Sequence, residues 1–277
     1  MKALNIIVCI KPVPDPKQWK KLALDPKTML LARNAIPAVI NPLDRVAIEQ
    51  AVELKAQFGG TVSVLTMAPP EAEDQLLEAV AMGCDRAYLL TDRAFAGADT
   101  LATARPLAAA IRKIGDPDLV FCGAYSLDGS TSQVGPQVAE MLGLPDLTHV
   151  IRLSIADSTL QADCRTEEGL ATFESDLPAL VTFASEANRP RLANMVGVRR
   201  AIETAIVTWT ASDLGLAPDR IGLPGSPTQM LNVFTASSGR KGEILLGTPD
   251  ELAAGLLAKL RLHPVRHDNA ATHEVKP

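Results

Sequence analysis

The chain is poor in the residues on which many protein chemistries depend. Its four cysteines, Cys9, Cys84, Cys122 and Cys164, are far apart, form no CxxC pair and mostly occupy apolar, strand-like stretches. That pattern argues against a disulfide framework or a thiolate metal site and reads as reduced core thiols in the cytoplasm. Only four histidines are present, and three of them, His263, His267 and His273, fall in a polar tail, where plain solvent exposure is the expectation. No apolar run approaches the ~20 residues needed to cross a bilayer. The start MKALNIIVCIKPVPD breaks early, without a small-residue cleavage site, and reads as a first strand rather than a leader. A mild net charge of -5 and the lack of basic clusters interleaved with aromatics argue against nucleic-acid binding. There is no internal repeat.

What is present is enough for a large core. With 277 residues and 47% hydrophobic content, the expectation is one large domain, or a domain with an extension. The first half alternates strand-like and helix-like segments, the pattern of an open, mostly parallel α/β sheet with helices on both faces. Strands are expected at Leu4 to Ile10, Thr61 to Met67, Ala87 to Leu90 and from Leu119; helices are expected at Pro70 to Met82 and Asp99 to Ile114. Residues 43 to 58 place Leu43, Ala47, Ala51, Leu54 and Phe58 along one helical face and Arg45, Glu49 and Glu53 on the opposite, solvent side. After Leu144, four short strand-like runs, His149 to Ile155, Leu160 to Arg165, Ala171 to Glu174 and Leu180 to Phe183, read as antiparallel hairpins added to the sheet. Residues 1–208 are expected to form the nucleotide-binding domain. Residues 209–277, with GLAPDRIGLPGSP and a terminal helix near Thr248 to Leu262, read as a C-terminal arm that packs on a partner subunit, with packing on this domain the equal alternative.

The most informative stretch is DLVFCGAYSLDGSTSQVGPQVAEMLGL, residues 118 to 144: a buried strand, a small-residue loop, then a helix. Gly123 ends the strand at its carboxyl edge, where open α/β sheets bind ligands. Asp128, Gly129, Ser130 and Thr131 follow, and glycine, hydroxyls and the free N–H groups of a helix start suit an anion such as a phosphate. The competing reading is an ordinary capped turn, since Ser130 with Gln133 spells a capping box. The loop has neither GxxxxGK[ST] nor GxGxxG, which argues against a kinase and an ordinary NAD enzyme. Pro136 suits a helix that begins near Gly135 better than one already running from Thr131.

Five segments, in order, resemble the small (beta) subunit of electron transfer flavoprotein: Val8 to Asp15 (VCIKPVPD), Asn41 to Asp44 (NPLD), Met82 to Ala87 (MGCDRA), the Gly123 to Pro136 loop, and Asn188 to Met195 (NRPRLANM). The resemblance covers nearly the whole chain and implies an adenine-nucleotide-hydrolase-like fold and a heterodimer with a larger alpha subunit that holds most contacts to the redox FAD. This chain would add a second nucleotide site, AMP in housekeeping members and FAD in electron-bifurcating ones, and a docking surface. By position, the implied contacts are Cys9; Asn41, Pro42, Leu43 and Asp44; Met67; and Gly123, Ala124, Tyr125, Ser126, Leu127, Asp128, Gly129, Ser130, Thr131, Ser132, Gln133 and Val134.

The loop pattern Asp128-Gly129-x-Thr131-x-Gln133-Val134-Gly135-Pro136 looks like the FAD type, whereas AMP-type members tend to have an Asp-rich loop leading into Asn-Gln-Thr-Gly. Two departures stand out. Ala124-Tyr125 replace a usual basic residue and Gln, and Ser130 replaces a common acidic residue. Tyr125 could stack on a ligand ring. In the family, the segment after Asn188 docks acyl-CoA dehydrogenase partners through a protruding leucine, and Met195 holds that place here; Asn188, Arg191 and Met195 are the implied docking residues. Without the resemblance, Met195 reads as core and the arginines as a solvated face. Arg189 and Arg191 suit a subunit interface, a flavin diphosphate or plain solvation, and Asp15 and Asp44 suit turn, cap or ligand-hydroxyl contacts. The function implied is electron carriage through flavin between dehydrogenases and an acceptor, with NADH-dependent bifurcation open. A nucleotide hydrolase or ligase lacks its Ser-Gly-Gly here, where Lys11-Pro12-Val13-Pro14 follows the first strand; a nucleotide sensor without redox work is the third reading.

Overall fold

The computed structural model of the chain describes residues 2–21, 36–156, 158–229 and 242–262. Two compact units divide the chain, Met1–Val233 and Phe234–Pro277. The first is built on a nine-stranded sheet. Its centre is β1 (Leu4–Cys9), with β4 (Gly60–Met67) on one side and β6 (Leu119–Gly123) on the other, all parallel. Beyond β4 lie β5 (Arg86–Leu90) and, at the edge, β11 (Ile206–Trp209). Beyond β6 lie β10 (Ala179–Phe183), β7 (Asp146–Ala156), β8 (Thr159–Thr166) and β9 (Gly169–Asp176). A separate two-stranded ribbon pairs β2 (Pro12–Pro14) with β3 (Ala38–Ile40).

The central strands are continuous apolar runs because helices cover both faces. Ile6, Ile7, Val8, Leu119, Val120 and Phe121 are fully buried, and Phe121 meets Phe183 edge-on at 4.9 Å between ring centroids. On one face pack α1 (Pro42–Phe58), α2 (Glu73–Met82) and α5 (Met195–Glu203), through residues such as Ala47, Ala51, Leu76 and Ala201. On the other pack α3 (Thr100–Ile114) and α4 (Val134–Leu142), through Leu107, Ile111 and Val138. The expected α/β class is therefore the observed one.

Three local readings need correction. The run Leu180 to Phe183, grouped with the antiparallel hairpins, forms β10, which lies parallel between β6 and β7. All five of its residues are buried, so it reads as an interior parallel strand, while β7, β8 and β9 do form an antiparallel meander. Glu49, assigned to the solvent face of α1, is buried, because the chain after β10 folds back over that side of the helix. The capping box does not form: α4 starts at Val134, Gln133 makes no side-chain cap, and Ser130 instead donates its N–H to the Ser126 carbonyl at 2.8 Å.

Beyond β11, residues 210–229 stay in the first unit, where Ala211 and Ile221 are buried. In the second unit, α6 (Pro249–Leu262) begins with Thr248 donating both its N–H and its hydroxyl to Glu251, at 2.8 and 3.0 Å. The three tail histidines lie outside the described residues.

Candidate functional site

The strand order reverses at β1, since the chain runs outward through β4 and β5 and then returns to place β6 on the other side. Crevices at such switch points, outside the carboxyl ends of the strands, are where open α/β sheets bind ligands. Here the ends of β1, β4, β5 and β6 and the starts of α3 and α4 surround a cleft of about 1030 Å³. Its interior side is apolar, with Leu107, Val138 and Leu180, while its mouth carries Lys11, Ser126, Thr131 and Ser132.

Asp44 and Asn41 hold this edge together. Asp44 Oδ2 accepts the Lys11 backbone N–H at 2.7 Å, and Oδ1 accepts the Gly123 N–H at 3.0 Å and the Asn41 amide at 3.1 Å. One carboxylate thus ties the end of β1, the end of β6 and the first turn of α1. Burial pushes the Asp44 carboxyl up to about 7, although these hydrogen bonds and the Lys11 charge oppose the rise. Asn41, fully buried, donates to the Tyr125 carbonyl at 2.9 Å and accepts from the Leu127 N–H at 3.2 Å, so it folds the β6–α4 loop. A side chain at Gly123 would put its Cβ 2.5 Å from Asp44 Oδ1 and 2.6 Å from Leu43 Cβ. Only glycine lets β6 end directly against α1.

The loop is held in an uncommon shape. Ser130 and Ser132 have φ of 51° and 55°, left-handed values that a non-glycine residue adopts at a cost and that cluster at ligand sites. The start of α4 then presents N–H groups without a side-chain cap, the positive end of the helix dipole. Lys11 reaches the same place from β1, donating from Nζ to Asp128 Oδ1 at 2.7 Å and Ser126 Oγ at 3.2 Å.

Of the residues expected at a ligand, Cys9, Asp44, Met67, Gly123, Ala124, Tyr125, Ser126, Gly129, Thr131, Ser132, Gln133 and Val134 line the cleft. Asn41, Pro42, Leu43, Leu127, Asp128 and Ser130 do not line it; of these, Asn41 and Asp128 brace the loop through Tyr125, Leu127 and Lys11. Sequence reasoning passed over Lys11 as a site residue, although it lay in a quoted motif, and the stretch Thr91 to Thr100 after β5, which lines the opposite wall. Short polar loops after strands were the available signal for the second; nothing in the sequence linked Lys11 to Asp128, 117 positions away. On that opposite wall both carboxylates are engaged by backbone N–H groups: Asp92 by Ala94 and Ala211, Asp99 by Ala102 and Thr228. The former pair holds Asp92 below the usual carboxylate range. The thiols are inert, since burial and the nearby Asp44 charge push Cys9 up to about 12. Among the described residues no group of three or more His, Cys, Asp or Glu could hold a metal, and no helix is long and apolar enough to cross a membrane.

A second surface stands apart from the cleft. Asn188 donates to the Val46 carbonyl at 3.0 Å, and Arg191 grips Glu49 through Nε at 2.8 Å, Nη2 at 2.7 Å and its backbone N–H at 2.8 Å. Asn194 caps α5 by accepting the Gly197 N–H at 2.8 Å. A Cβ at Gly197 would lie 2.0 Å from the Ala81 carbonyl, so α5 sits hard against α2. This anchoring leaves Met195, Val196 and Ile202 about four-fifths exposed. Met195 is not core.

An open, mostly parallel sheet with a polar-mouthed, apolar-floored cleft at its switch point defines a doubly wound α/β domain with a ligand-sized cleft. Residues 28–214 match the electron transfer flavoprotein domain. The chain is 42% identical over 260 residues to the caffeyl-CoA reductase–Etf complex subunit CarD of Acetobacterium woodii, covering 93% of this chain and 98% of that one. It is 42% identical over 258 residues to the electron transfer flavoprotein subunit beta of Thermoanaerobacterium thermosaccharolyticum, with the same coverage, and 44% identical over 243 residues to the protein FixA of Azorhizobium caulinodans, covering 85% of each. The chain belongs to the electron transfer flavoprotein family, as a beta-type subunit that serves in electron transfer.

Proposed function

We propose that this chain pairs with a larger alpha subunit, that its cleft holds a second FAD, and that the complex divides the electrons of NADH between two acceptors. The observation that carries the reading is the size of the cleft, about 1030 Å³, at the top of the range of about 300–1,000 Å³ usual for small-molecule sites. A mononucleotide would leave much of it empty. The groups present fit a dinucleotide: an apolar floor for a ring system, and N–H groups, hydroxyls and an ammonium at the mouth for phosphates. Gly129 belongs to this fit, because a Cβ there would come within 3.2 Å of Ser126 Oγ and 3.7 Å of Lys11 Nζ, in the space between loop and lysine.

A bound flavin would supply the one- and two-electron chemistry. The chain's own part is to bind, orient and seal. Asp44 and Asn41 keep the loop and the β1 end in register, and Tyr125, partly exposed at the lip, offers a ring face for stacking. Exposed Met195, Val196 and Ile202 form the patch on which an acyl-CoA dehydrogenase or similar flavoenzyme docks, a flexible apolar anchor among Arg191, Arg199 and Arg200. The name of the relative CarD, a subunit of a reductase–Etf complex, supports such a partner, and the buried free thiols suit a reducing cytoplasm. The test is to copurify the chain with its alpha subunit, denature the complex and identify what is released. Two FAD per heterodimer is the expected result; one FAD with AMP overturns the second-FAD reading.

A further inference from the structure

We infer that Lys11 is the phosphate-binding cation of the cleft, supplying positive charge to its mouth from the end of β1. The inference rests on the reading that a nucleotide occupies the cleft, and it holds for FAD and AMP alike. Ala124, in the loop just past β6, is a buried methyl group. The lining cations among the described residues are Lys11 and Arg93, and Arg93 is exposed on the opposite wall. Lys11 is fixed at both ends. Its N–H donates to Asp44 Oδ2 at 2.7 Å and its carbonyl accepts the Asn41 N–H at 3.0 Å, so the backbone cannot drift from the strand end. Its ammonium is held at the loop by Asp128, whose side chain is 3% exposed, and by Ser126.

An ammonium has three N–H donors. Asp128 and Ser126 take two, which leaves one for a ligand oxygen in the space kept clear by Gly129. The buried Asp128 aims the ammonium before the ligand arrives, so little side-chain freedom is lost on binding. The same contacts also describe a plain loop staple, and the two roles separate by ligand charge. A staple affects every ligand equally, whereas a phosphate cation affects only ligands that carry phosphate.

The experiment uses the copurified heterodimer with its second nucleotide removed, titrated calorimetrically with ADP, AMP and adenosine. Lys11→Met should weaken ADP and AMP roughly 10–100-fold, the loss expected for a charge-assisted hydrogen bond. Adenosine should change less than about twofold, the dependence of ADP affinity on salt should fall, and Lys11→Arg should restore most of the binding. Equal weakening of all three ligands, unchanged ADP and AMP affinity, or a wild type that binds ADP no tighter than adenosine would each overturn the assignment. Release of AMP in place of a second FAD would sink the FAD reading and leave this one standing.

Discussion

Replacing Glu49 with Gln should loosen the segment from Asn188 to α5, on which docking is proposed, while leaving the cleft intact. The Glu49 side chain is 6% exposed and accepts from three Arg191 N–H groups. Burial works to raise its carboxyl, but the Arg191 hydrogen bonds and charge outweigh that and hold it below the usual range. Charge-assisted hydrogen bonds contribute about 1.5–3 kcal/mol. Arg191 is 42% exposed, so water screens part of this, and a coupling of about 1–2 kcal/mol is the expected value. Glutamine keeps one oxygen but turns an NH₂ towards the arginine fork. Arg191→Met should cost more, about 2–4 kcal/mol, because it strands a buried carboxylate.

The assay is a double-mutant cycle by urea unfolding, with hydrogen exchange followed over residues 188–203 and stopped-flow transfer to the partner flavoenzyme. Exchange in α5 should quicken and transfer should slow, with flavin content unchanged. Met195→Ala is the control. Its side chain is about four-fifths exposed, so stability should move by less than about 0.5 kcal/mol while transfer still slows. A coupling below about 0.5 kcal/mol, or unaltered exchange in α5, refutes the claim that this pair positions α5.

Two further outcomes follow from the site. Asp44, at about 7 in the folded chain and about 3.9 when unfolded, binds its proton more tightly in the native state, so it should make stability fall as pH rises from about 4 to 7, by at most ~1.4 kcal/mol per pH unit. The wild-type minus Asp44→Asn difference in unfolding free energy should therefore decline through that window; a difference that rises refutes the burial argument. Gly135→Ala would place a Cβ 2.6 Å from Thr182 Cγ2 and 3.1 Å from Cys122 Sγ, pushing α4 off the sheet at a cost of about 1–3 kcal/mol. Thermal melting and nucleotide content should both drop, and retained nucleotide would show that the seat of α4 does not shape the cleft.

The parallel core was legible because its signals are local. Apolar runs such as Leu119 to Cys122 and the 3.6-residue pattern of residues 43 to 58 are set by what each segment must bury, and the observed strands and helices follow them. Where neighbours decide, local signals failed. Leu180 to Phe183 looked like one more short strand after three others, and its place between β6 and β7 depends on partners far away in sequence. Glu49 sat on the polar side of a well-formed helical pattern, which holds no sign that Arg191, 142 positions on, would cover it.

Taken alone, the sequence determined the fold class, the edge of the sheet where the cleft opens, and through five short segments the family. Those follow from covalent periodicity and from motifs whose residues are contiguous. The tertiary structure alone decided that Lys11 faces the Gly129 loop, that Asp44 pins three strand and helix ends at once, and that Met195 stands in solvent while Arg191 holds its loop down. Each of these is a through-space juxtaposition of segments tens to more than a hundred residues apart. It exists only once the hydrophobic core has set the strand order.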